Sequence, residues 1–311
     1  MEIIDNNNIH KTKIMTERIQ RLTAAATQLR RDVVNTIYYA GDGHPGPCMS
    51  IADILAVLYF DILRINPDDP EWIDRDRFIL SKGHACPALY AALARRGYIQ
   101  PPELKTLRSL GSRLQGHPVQ QYIPGVDATS GSLGHGLPQG CGMALTARRR
   151  KRDNLTFVLT GDGELNEGIV WEAAMTIAKF KLTNLIAIVD NNGIQSGGKV
   201  DVVSGLYPLR EKWEGFGWYA VEIDGHDIEL LTIILENAAK RGRTPREERE
   251  KMVIVPNQKP PKPDQPVVII ANTLKGKGVP YMEGNNAWHK RVPTEEERQI
   301  AMSVLGGLDL E

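Results

Sequence analysis

Short apolar segments alternate with helical patterns along most of this chain, and this alternation limits its possible folds more than any other feature. Five segments are typical of strands: RFILS at 77–81, LTFVLT at 155–160, NLIAIVD at 184–190, WYAVEID at 218–224 and VVIIANT at 267–273. They are mostly continuous in apolar residues, as expected for parallel strands that are covered on both faces. Strands separated by helices indicate an α/β fold with a doubly wound, mainly parallel sheet flanked by helices.

Apolar residues at helical spacing predict the helices between these strands. The first helix runs from Met15 to Ala40 and stops before Gly41, and the second runs from Ser50, its predicted cap, to Leu63. Further helices are predicted at 87–96, 136–149, 167–180, 209–216 and 228–240. We expect residues 1–14 to form a flexible tail and residues 15–311 to form a single domain. Segment 241–266 is rich in charge and proline and is predicted to be a solvated insertion.

The composition argues against several classes of function. The 311 residues carry 38 basic and 38 acidic side chains, and this balance disfavours broad nucleic-acid binding. Cys48, Cys86 and Cys141 stand far apart without a CxxC pair, which disfavours a zinc site or a disulfide framework and fits a reducing compartment. Because the sequence shows neither a membrane-spanning apolar run nor a signal-peptide core, we expect a cytoplasmic protein.

A polar or glycine-rich cluster follows each predicted strand. In chain order these clusters are KGH at 82–84, GDG at 161–163, NNG at 191–193, GH at 225–226 and LKGKG at 274–278. Ligands of open parallel sheets bind beyond the carboxyl ends of the strands, so the clusters should meet at one edge. Glycine also precedes five of the seven histidines, which suggests loops that present imidazole rings: His44, His84, His117, His135 and His226.

Asp162 and Asn192 each lie just past a predicted strand, thirty residues apart. A strand–helix–strand unit of that length brings both side chains to the same edge of the sheet. A carboxylate and an amide oxygen make a partial site for Mg²⁺, which completes its octahedron with water, a carbonyl and a bound phosphate. Gly161 and Gly163 would let the phosphate approach the backbone, and the helix starting near Glu167 points its N-terminus there. The alternative is a simple turn in which Asp162 caps a helix.

GDG followed by NN at this spacing resembles the signature of enzymes that bind thiamine diphosphate through Mg²⁺. The wider pattern resembles transketolase, specifically its N-terminal, pyrophosphate-binding half. The motifs occur in family order: GHPG at 43–46, LSKGHA at 80–85, GHP at 116–118, GSLGHG at 131–136, GDGELNEG at 161–168, KGKG at 275–278 and AWHK at 287–290. The similarity runs from about Met15 to Val304, which is nearly the whole chain.

The resemblance implies roles for individual residues. Asp162, Asn192 and the backbone carbonyl of Ile194 would hold Mg²⁺, or Ca²⁺ or Mn²⁺ in its place. Besides these three ligands, the residues implied to bind thiamine diphosphate are Lys82, His84, Gly131, Ser132, Leu133, Gly161, Gly163, Glu167, Lys275 and His289. The residues implied to be catalytic are His44, His84, His117 and His289.

The resemblance also separates the two glutamates of GDGELNEG. Glu167 would belong to a buried carboxylate network that links active sites across a subunit interface, whereas Glu164 would be a charge at the start of a helix. Two features depart from the family pattern. His135 stands where the family usually has Gln in GSLGQG, and segment 241–266 has no counterpart in the family core.

The glutamate that activates the cofactor in this family lies on a second, pyrimidine-binding domain, which these 311 residues do not contain. The resemblance therefore implies the N-terminal subunit of a split transketolase that is inactive alone. A separate C-terminal, pyrimidine-domain subunit would complete an α2β2-type assembly with self-dimer contacts. Its reaction would transfer a two-carbon ketol unit from a ketose phosphate to an aldose phosphate.

Other interpretations stay open. The chain could belong to a split enzyme for an unusual donor, such as a branched or sulfonated sugar. It could also be a deoxyxylulose-phosphate synthase fragment or one chain of a keto-acid dehydrogenase-type enzyme, although the loop histidines and AWHK favour transketolase. A catalytically inactive cofactor-binding or regulatory subunit is an alternative of another class. The joint presence of Asp162, Asn192 and the loop histidines argues against it.

Overall fold

A five-stranded parallel sheet forms the centre of the fold, with the strand order β1-β2-β3-β7-β6. The structure is a computed structural model that describes the backbone of residues 6–307 and the side chains of residues 13–307. A separate antiparallel pair, β4 and β5, follows the third strand. The strands are β1 (Arg77–Leu80), β2 (Thr156–Gly161), β3 (Leu185–Asn191), β4 (Ile194–Gln195), β5 (Gly198–Lys199), β6 (Tyr219–Asp224) and β7 (Val267–Asn272).

Helices connect the strands and cover both faces of the sheet. They are α1 (Asn6–Ala40), α2 (Pro45–Met49), α3 (Ala52–Val57), α4 (Cys86–Arg96), α5 (Gly136–Arg149), α6 (Gly168–Lys179), α7 (Val200–Val203), α8 (Leu209–Gly215), α9 (Ile228–Arg243) and α10 (Glu295–Val304). A π-helical turn, Leu58–Ile62, continues α3. Within the part of the chain that the structure describes, every helix is too short or too polar to cross a bilayer.

The two faces of the sheet pack against different sets of helices. Phe157 and Leu159 of β2 face α1, α3, α4 and α9, whereas Val158 faces α5, α6 and α8. All six residues of β2 are buried, which explains why the strand is apolar along its whole length. Each fully buried Leu, Ile or Phe in these layers contributes roughly 1.5–3 kcal/mol of transfer free energy.

The strand order reverses next to β3. The chain adds β1, β2 and β3 side by side, then crosses to the outer strand β6 and returns to insert β7 beside β3. The helices on the two faces follow from this reversal, because parallel crossovers keep one hand. An open crevice at such a switch point, beyond the carboxyl ends of the strands, is where ligands bind in doubly wound folds.

The structure confirms the five predicted strands and shifts some helix boundaries. Helix α1 begins at Asn6, so residues 6–14, which were predicted to be a tail, continue that helix; residues 1–5 lie outside the described residues. Ser50 is not the N-terminal cap of the second predicted helix: it ends α2, α3 begins at Ala52, and the Ser50 hydroxyl donates to Asp190 Oδ2 at 2.8 Å. Helices α2, α7 and α10 were not predicted.

Segment 241–266 is partly exposed and partly packed against its own chain. Ile254 is fully buried, and Asp264 pairs with Lys181 at 2.9 Å. The buried Arg241 guanidinium donates to the backbone carbonyls of Lys262, Pro263 and Gln265. Residues 245–248 and 256–259 are exposed, as expected of a solvated insertion, whereas the stretch near Arg241 is packed because that arginine satisfies the carbonyls of a proline-rich stretch that cannot form a strand.

Candidate functional site

A cavity of about 610 Å³ lies beyond the carboxyl ends of β1, β2 and β3, at the reversal of strand order. It brings together most of the residues that the sequence singled out. Those that line it are His44, Lys82, His84, His117, Gly131, Leu133, Asp162, Gly163, Glu167, Asn192, Ile194 and His289. Ser132 is exposed beside this lining, Gly161 ends β2, and Lys275 reaches the site from behind His289.

Asp162, Asn192 and Ile194 lie in two facing turns at the base of the cavity. The Asp162 carboxylate is 2% exposed and accepts backbone N–H groups from Gly163 at 2.7 Å and Gly193 at 2.6 Å. Asn192 Oδ1 accepts the N–H of Ile194 at 3.0 Å. Burial, and then the charge of the neighbouring Asp190, raises the pKa of Asp162 to about 6. A bound cation would relieve this unfavourable burial of negative charge.

The oxygens of these turns suit a hard cation. A carboxylate, an amide oxygen and a backbone carbonyl are ligands that Mg²⁺ accepts together with water and phosphate oxygens. Within residues 13–307, no group of three or more His, Cys, Asp or Glu side chains is arranged to hold a metal. Asp162 and Asn192 therefore do not make a complete metal site by themselves; their oxygens fit a hard ion that takes its remaining ligands from elsewhere.

Asp190, which the sequence reasoning missed, organises the floor of this site. It is fully buried and accepts hydrogen bonds from Lys82 Nζ at 2.5 Å, Asn192 Nδ2 at 2.9 Å and the Thr273 hydroxyl. Burial alone would raise the pKa of Asp190, but the Lys82 ammonium and the hydrogen bonds hold it below its usual value. Because the Asn192 amide nitrogen donates to Asp190, its oxygen faces the opposite way, toward the Ile194 N–H.

Lys82, predicted to bind the cofactor, is thus first a partner of Asp190. Its ammonium is 2% exposed and also donates to the Pro47 carbonyl at 2.8 Å. A sequence signal for Asp190 did exist: a carboxylate stands in an otherwise apolar strand two residues before Asn192. Such a buried charge needs a cationic partner, which only the fold identifies.

Three of the predicted histidines form a triangle on the cavity wall. The ring centroids of His44 and His84 are 5.2 Å apart, those of His44 and His289 5.6 Å, and those of His84 and His289 5.4 Å. Burial lowers the pKa of each imidazole, to about 4 for His44, about 2 for His84 and about 3 for His289, and neighbouring cations lower it further. All three rings are therefore neutral at physiological pH, so each can donate one proton and accept another.

His289 has a defined tautomer. The buried Lys275 Nζ donates to His289 Nδ1 at 2.8 Å and to the Ile194 carbonyl at 3.2 Å. An ammonium can only donate, so the His289 proton resides on Nε2. Burial, and then the charge of Lys82, lowers the pKa of Lys275 to about 8, so the amine stays mostly protonated at neutral pH.

Two loop glycines permit the backbone to approach the cavity. A Cβ at Gly163 would come within 2.7 Å of Gln195 Cβ, and a Cβ at Gly131 would contact the ring of His117 at 3.4 Å. A hydrogen bond also holds the loop that begins at Gly131 in place: the Gly134 N–H donates to Glu164 Oε1 at 2.7 Å. The motif glycines therefore allow close packing of three loops around one space.

The two glutamates of GDGELNEG have different environments. Glu164 is 3% exposed and accepts the Ser81 hydroxyl and the N–H groups of Gly134 and Gly161. Glu164 does lie in the first turn of a short 3₁₀ helix, Gly163–Asn166, as a charge at a helix start would, but its buried carboxylate also connects three loops, and burial raises its pKa. Glu167 is exposed at the N-terminus of α6 and makes no capping bond there. Its predicted network across an interface stays a prediction.

The remaining two glycine-preceded histidines lie outside the cavity lining. His135 is exposed at the start of α5, with Nδ1 at 3.2 Å from the Leu133 carbonyl. His226 Nδ1 lies 2.6 Å from Asp53 Oδ2, and its Nε2 accepts the Leu274 N–H at 2.7 Å. His226 therefore connects two loops of the scaffold, and the shared Gly-His pattern does not by itself distinguish site from scaffold.

Comparison with known proteins shows which class of cofactor-binding proteins this fold and site belong to. The sequence model described as "Transketolase, thiamine diphosphate binding domain" matches residues 21–255. A transketolase structure from Pichia stipitis superposes with a TM-score of 0.81 at 30% identity, over 92% of this chain and 41% of that chain. Transketolase from Leishmania mexicana gives a TM-score of 0.80 at 29% identity, over 92% of this chain and 41% of that chain. The site is thus of the thiamine diphosphate-binding class.

The chain belongs to the transketolase family. It is 40% identical to an apulose-4-phosphate transketolase subunit of Phocaeicola vulgatus, over 92% of this chain and 94% of that protein. It is 38% identical to a 6-deoxy-6-sulfo-D-fructose transketolase subunit of a Clostridium species, over 94% and 98%. Human transketolase is 37% identical, but this chain covers only 42% of it. The chain thus spans nearly all of these separate subunits and less than half of the single-chain enzyme.

Proposed function

We propose that this chain is the N-terminal subunit of a two-subunit transketolase that transfers a two-carbon ketol unit from a ketose phosphate to an aldose phosphate. It acts with thiamine diphosphate and Mg²⁺, or with Ca²⁺ or Mn²⁺ in place of Mg²⁺. The observation that carries this proposal is the cavity that unites Asp162, Asn192 and Ile194 with four loop histidines. The near-complete match to relatives named as subunits supports the division into two chains.

The residues of the cavity have different proposed roles, which follow from their chemistry. Asp162, Asn192 and the Ile194 carbonyl would hold the cation and, through it, a diphosphate, next to the backbone of Gly163. When bound, thiamine diphosphate supplies the carbon nucleophile of ketol transfer. Neutral imidazoles around it orient sugar hydroxyl groups and exchange protons with them. His289 is held with its proton on Nε2, so that nitrogen is the donor toward a substrate oxygen.

The pyrimidine-binding half of the active site would come from a separate C-terminal subunit, in an α2β2 assembly with contacts between like subunits. Glu167, exposed on this chain beside the cavity, would be covered by that assembly. The names of the related subunits refer to apulose 4-phosphate and to 6-deoxy-6-sulfo-D-fructose. They favour an unusual sugar donor as a second candidate within the same reaction class.

Reconstitution tests the proposal. The chain, a candidate pyrimidine-domain partner and their mixture are assayed with thiamine diphosphate and Mg²⁺ for ketol transfer from several ketose phosphates to ribose 5-phosphate. We expect activity in the mixture alone. Activity of this chain without a partner would refute the split-subunit proposal. Absence of saturable thiamine diphosphate binding, measured by calorimetry with partner and Mg²⁺ present, would instead support a non-enzymatic subunit.

A matched pair of variants connects the activity to the site. Asp162→Asn removes the carboxylate at the cavity base, whereas Asp201→Asn removes one on the exposed face of α7. We expect Asp162→Asn to abolish Mg²⁺-dependent thiamine diphosphate binding and Asp201→Asn to leave it unchanged. Equal binding by both variants would contradict the assignment of the cation ligands.

A further inference from the structure

The loop at residues 131–136, which we call the wall loop, forms one side of the cavity and continues into α5. Among the described residues, two hydrogen bonds join it to segments other than α5. The Gly134 N–H donates to Glu164 Oε1 at 2.7 Å, and the Gly136 N–H donates to the Ser81 hydroxyl at 3.1 Å. The Ser81 hydroxyl in turn donates to Glu164 Oε1. Both attachments of the wall loop therefore end on the same carboxylate oxygen.

The other oxygen of Glu164 contacts the base of the cavity. Glu164 Oε2 accepts the Gly161 N–H at 3.0 Å, one residue before Asp162. The base does not depend on this bond alone, because Gly161 pairs with Asp190 in the β2–β3 ladder and the Asp162 N–H donates to the Asp190 carbonyl at 3.1 Å. The sheet therefore holds the base of the cavity, whereas Glu164 holds the wall loop.

Close packing leaves the wall loop little room to find other partners. Gly134 has a left-handed backbone with φ 84°, and a Cβ there would lie 2.8 Å from Glu167 Cβ. A Cβ at Gly136 would lie 2.4 Å from Ser81 Cβ. Glu164 is itself 3% exposed, so its hydrogen bonds replace the water that its buried charge loses.

A carboxylate is the side chain that these contacts require. The N–H groups of Gly134 and Gly161 can only donate, and they approach different oxygens of Glu164. A glutamine of the same size has one oxygen and one NH₂ group, so it would turn a donor toward one of these two N–H groups. Because the sheet holds the base, the wall loop is the part that would move.

We propose that Glu164 is a positioning residue that fixes the distance between the wall loop and the cation-binding base of the cavity. This role rests on the proposed binding of thiamine diphosphate, a cofactor that would extend from Asp162 at the base to Leu133 on the wall loop. Protein donors occupy both carboxylate oxygens, so Glu164 acts through Gly134 and Ser81. A ligand that occupies the base alone does not need the wall loop.

Two ligands of different length test this role. The reconstituted two-subunit protein with Mg²⁺ is titrated by calorimetry with thiamine diphosphate and with inorganic pyrophosphate. We expect Glu164→Gln to weaken thiamine diphosphate binding about 10- to 100-fold, as for loss of a hydrogen bond to a charged group, and to change pyrophosphate affinity less than about 3-fold. Ser81→Ala removes one of the two attachments and should weaken thiamine diphosphate binding about 2- to 10-fold.

Glu229→Gln is the matched control. Glu229 lies in the first turn of α9, as Glu164 lies in the first turn of its 3₁₀ helix, but it is exposed and outside the cavity lining. We expect it to bind both ligands as wild type does. An equal loss of both ligands in Glu164→Gln, or unchanged thiamine diphosphate binding, would overturn the positioning role. Where circular dichroism melting shows that Glu164→Gln is unfolded, the same two outcomes in Ser81→Ala decide.

Hydrogen exchange separates failure of this role from failure of the proposed function. The full chain without ligands is followed by mass spectrometry, and peptides of the wall loop are compared with peptides of β3. We expect exchange in the wall loop to be about 10-fold faster in Glu164→Gln than in wild type or Glu229→Gln, with β3 unchanged. If wild type does not bind thiamine diphosphate, the proposed function fails, whereas unchanged exchange in the wall loop overturns the positioning role independently.

Discussion

Removal of the Asp53 carboxylate should destabilise the loop that carries Lys275. Asp53 is 4% exposed and accepts two hydrogen bonds from the Arg30 guanidinium, at 2.6 and 3.0 Å. It also lies 2.6 Å from His226 Nδ1, whose opposite nitrogen accepts the Leu274 N–H at 2.7 Å. This buried chain of contacts ends one residue before Lys275, so Asp53 and His226 position that loop from outside the cavity.

The magnitude follows from what Asp53→Ala leaves behind. Loss of one partner of a buried ion pair costs about 3–5 kcal/mol. Among the described residues, Arg30, itself 6% exposed, then keeps the carbonyl of Lys277 at 3.0 Å and a longer contact to Met49 O at 3.4 Å. We therefore expect the free energy of unfolding to fall by about 3 kcal/mol, the lower end of that range, which an average domain survives.

Urea unfolding followed by circular dichroism measures this loss, with Asp153→Ala as control. Asp153 makes the same two-point contact with Arg64, at 2.9 and 3.0 Å, but on the surface, and should contribute about 1 kcal/mol or less. Hydrogen exchange of peptides that span Leu274 should accelerate in Asp53→Ala alone. A loss no larger than that of the control, or unchanged exchange at Leu274, would refute the reasoning.

The pH dependence of this effect has a definite sign. Burial alone would raise the pKa of Asp53, but His226 and Arg30 hold it below its usual value. A carboxyl with a depressed pKa stabilises the fold above its unfolded pKa of about 3.9 and loses that contribution as the pH falls through the folded value. The stability difference between wild type and Asp53→Asn should therefore persist at neutral pH and shrink below about pH 4.

Three further changes test other parts of the site. Gly163→Ala places a Cβ within 2.7 Å of Gln195 Cβ, so calorimetry should show thiamine diphosphate binding weakened about 10-fold, or about 1.4 kcal/mol; unchanged affinity would contradict this. Asp190→Asn leaves the buried Lys82 ammonium without its counter-charge and should cost about 3–5 kcal/mol in urea unfolding, and a loss below about 1 kcal/mol would argue against the pair. The folded chain keeps His84 and His289 neutral with pKa values of about 2 and 3, whereas the unfolded chain protonates them near pH 6.5. The two histidines therefore contribute stability that rises with pH between about 3 and 6.5, against an opposite contribution from Asp162, whose pKa is raised to about 6, so the slope of stability against pH should be less positive in His84→Gln than in wild type; equal slopes in the two proteins would contradict it.

Much of the fold was predictable from the sequence, because the hydrophobic patterns that define strands and helices involve residues that are close together in the chain. The strand segments RFILS, LTFVLT and VVIIANT are apolar over their full length, since both faces of the sheet are covered by helices. The GDG and NN motifs follow such strands, so their meeting at one edge was predictable from the parallel topology alone. The start of α1 was placed too late because the polar residues after Asn6 lack a strong apolar periodicity.

The partners of charged residues could not be read in the same way. Glu164 lies in the first turn of a 3₁₀ helix, but the sequence did not show that its carboxylate is buried and accepts the N–H groups of Gly134 and Gly161. Gly-His dipeptides look alike in the sequence, but His84 faces the cavity whereas His226 joins two scaffold loops. Each of these environments depends on contacts between segments that are far apart in the chain. Local sequence patterns do not predict such contacts.

The sequence by itself determined the parallel α/β sheet, the edge at which its ligand residues gather and the family to which the chain belongs. These features follow from hydrophobic periodicity and from short motifs whose residues are neighbours in the chain. Only the tertiary structure decided which charges are paired and which face the cavity. Lys82 became the partner of Asp190, while Arg108 and Lys290, which line the cavity, share Asp42. The physical reason is that the free energy of a charge depends on its burial and its neighbours, which exist only after the chain has folded.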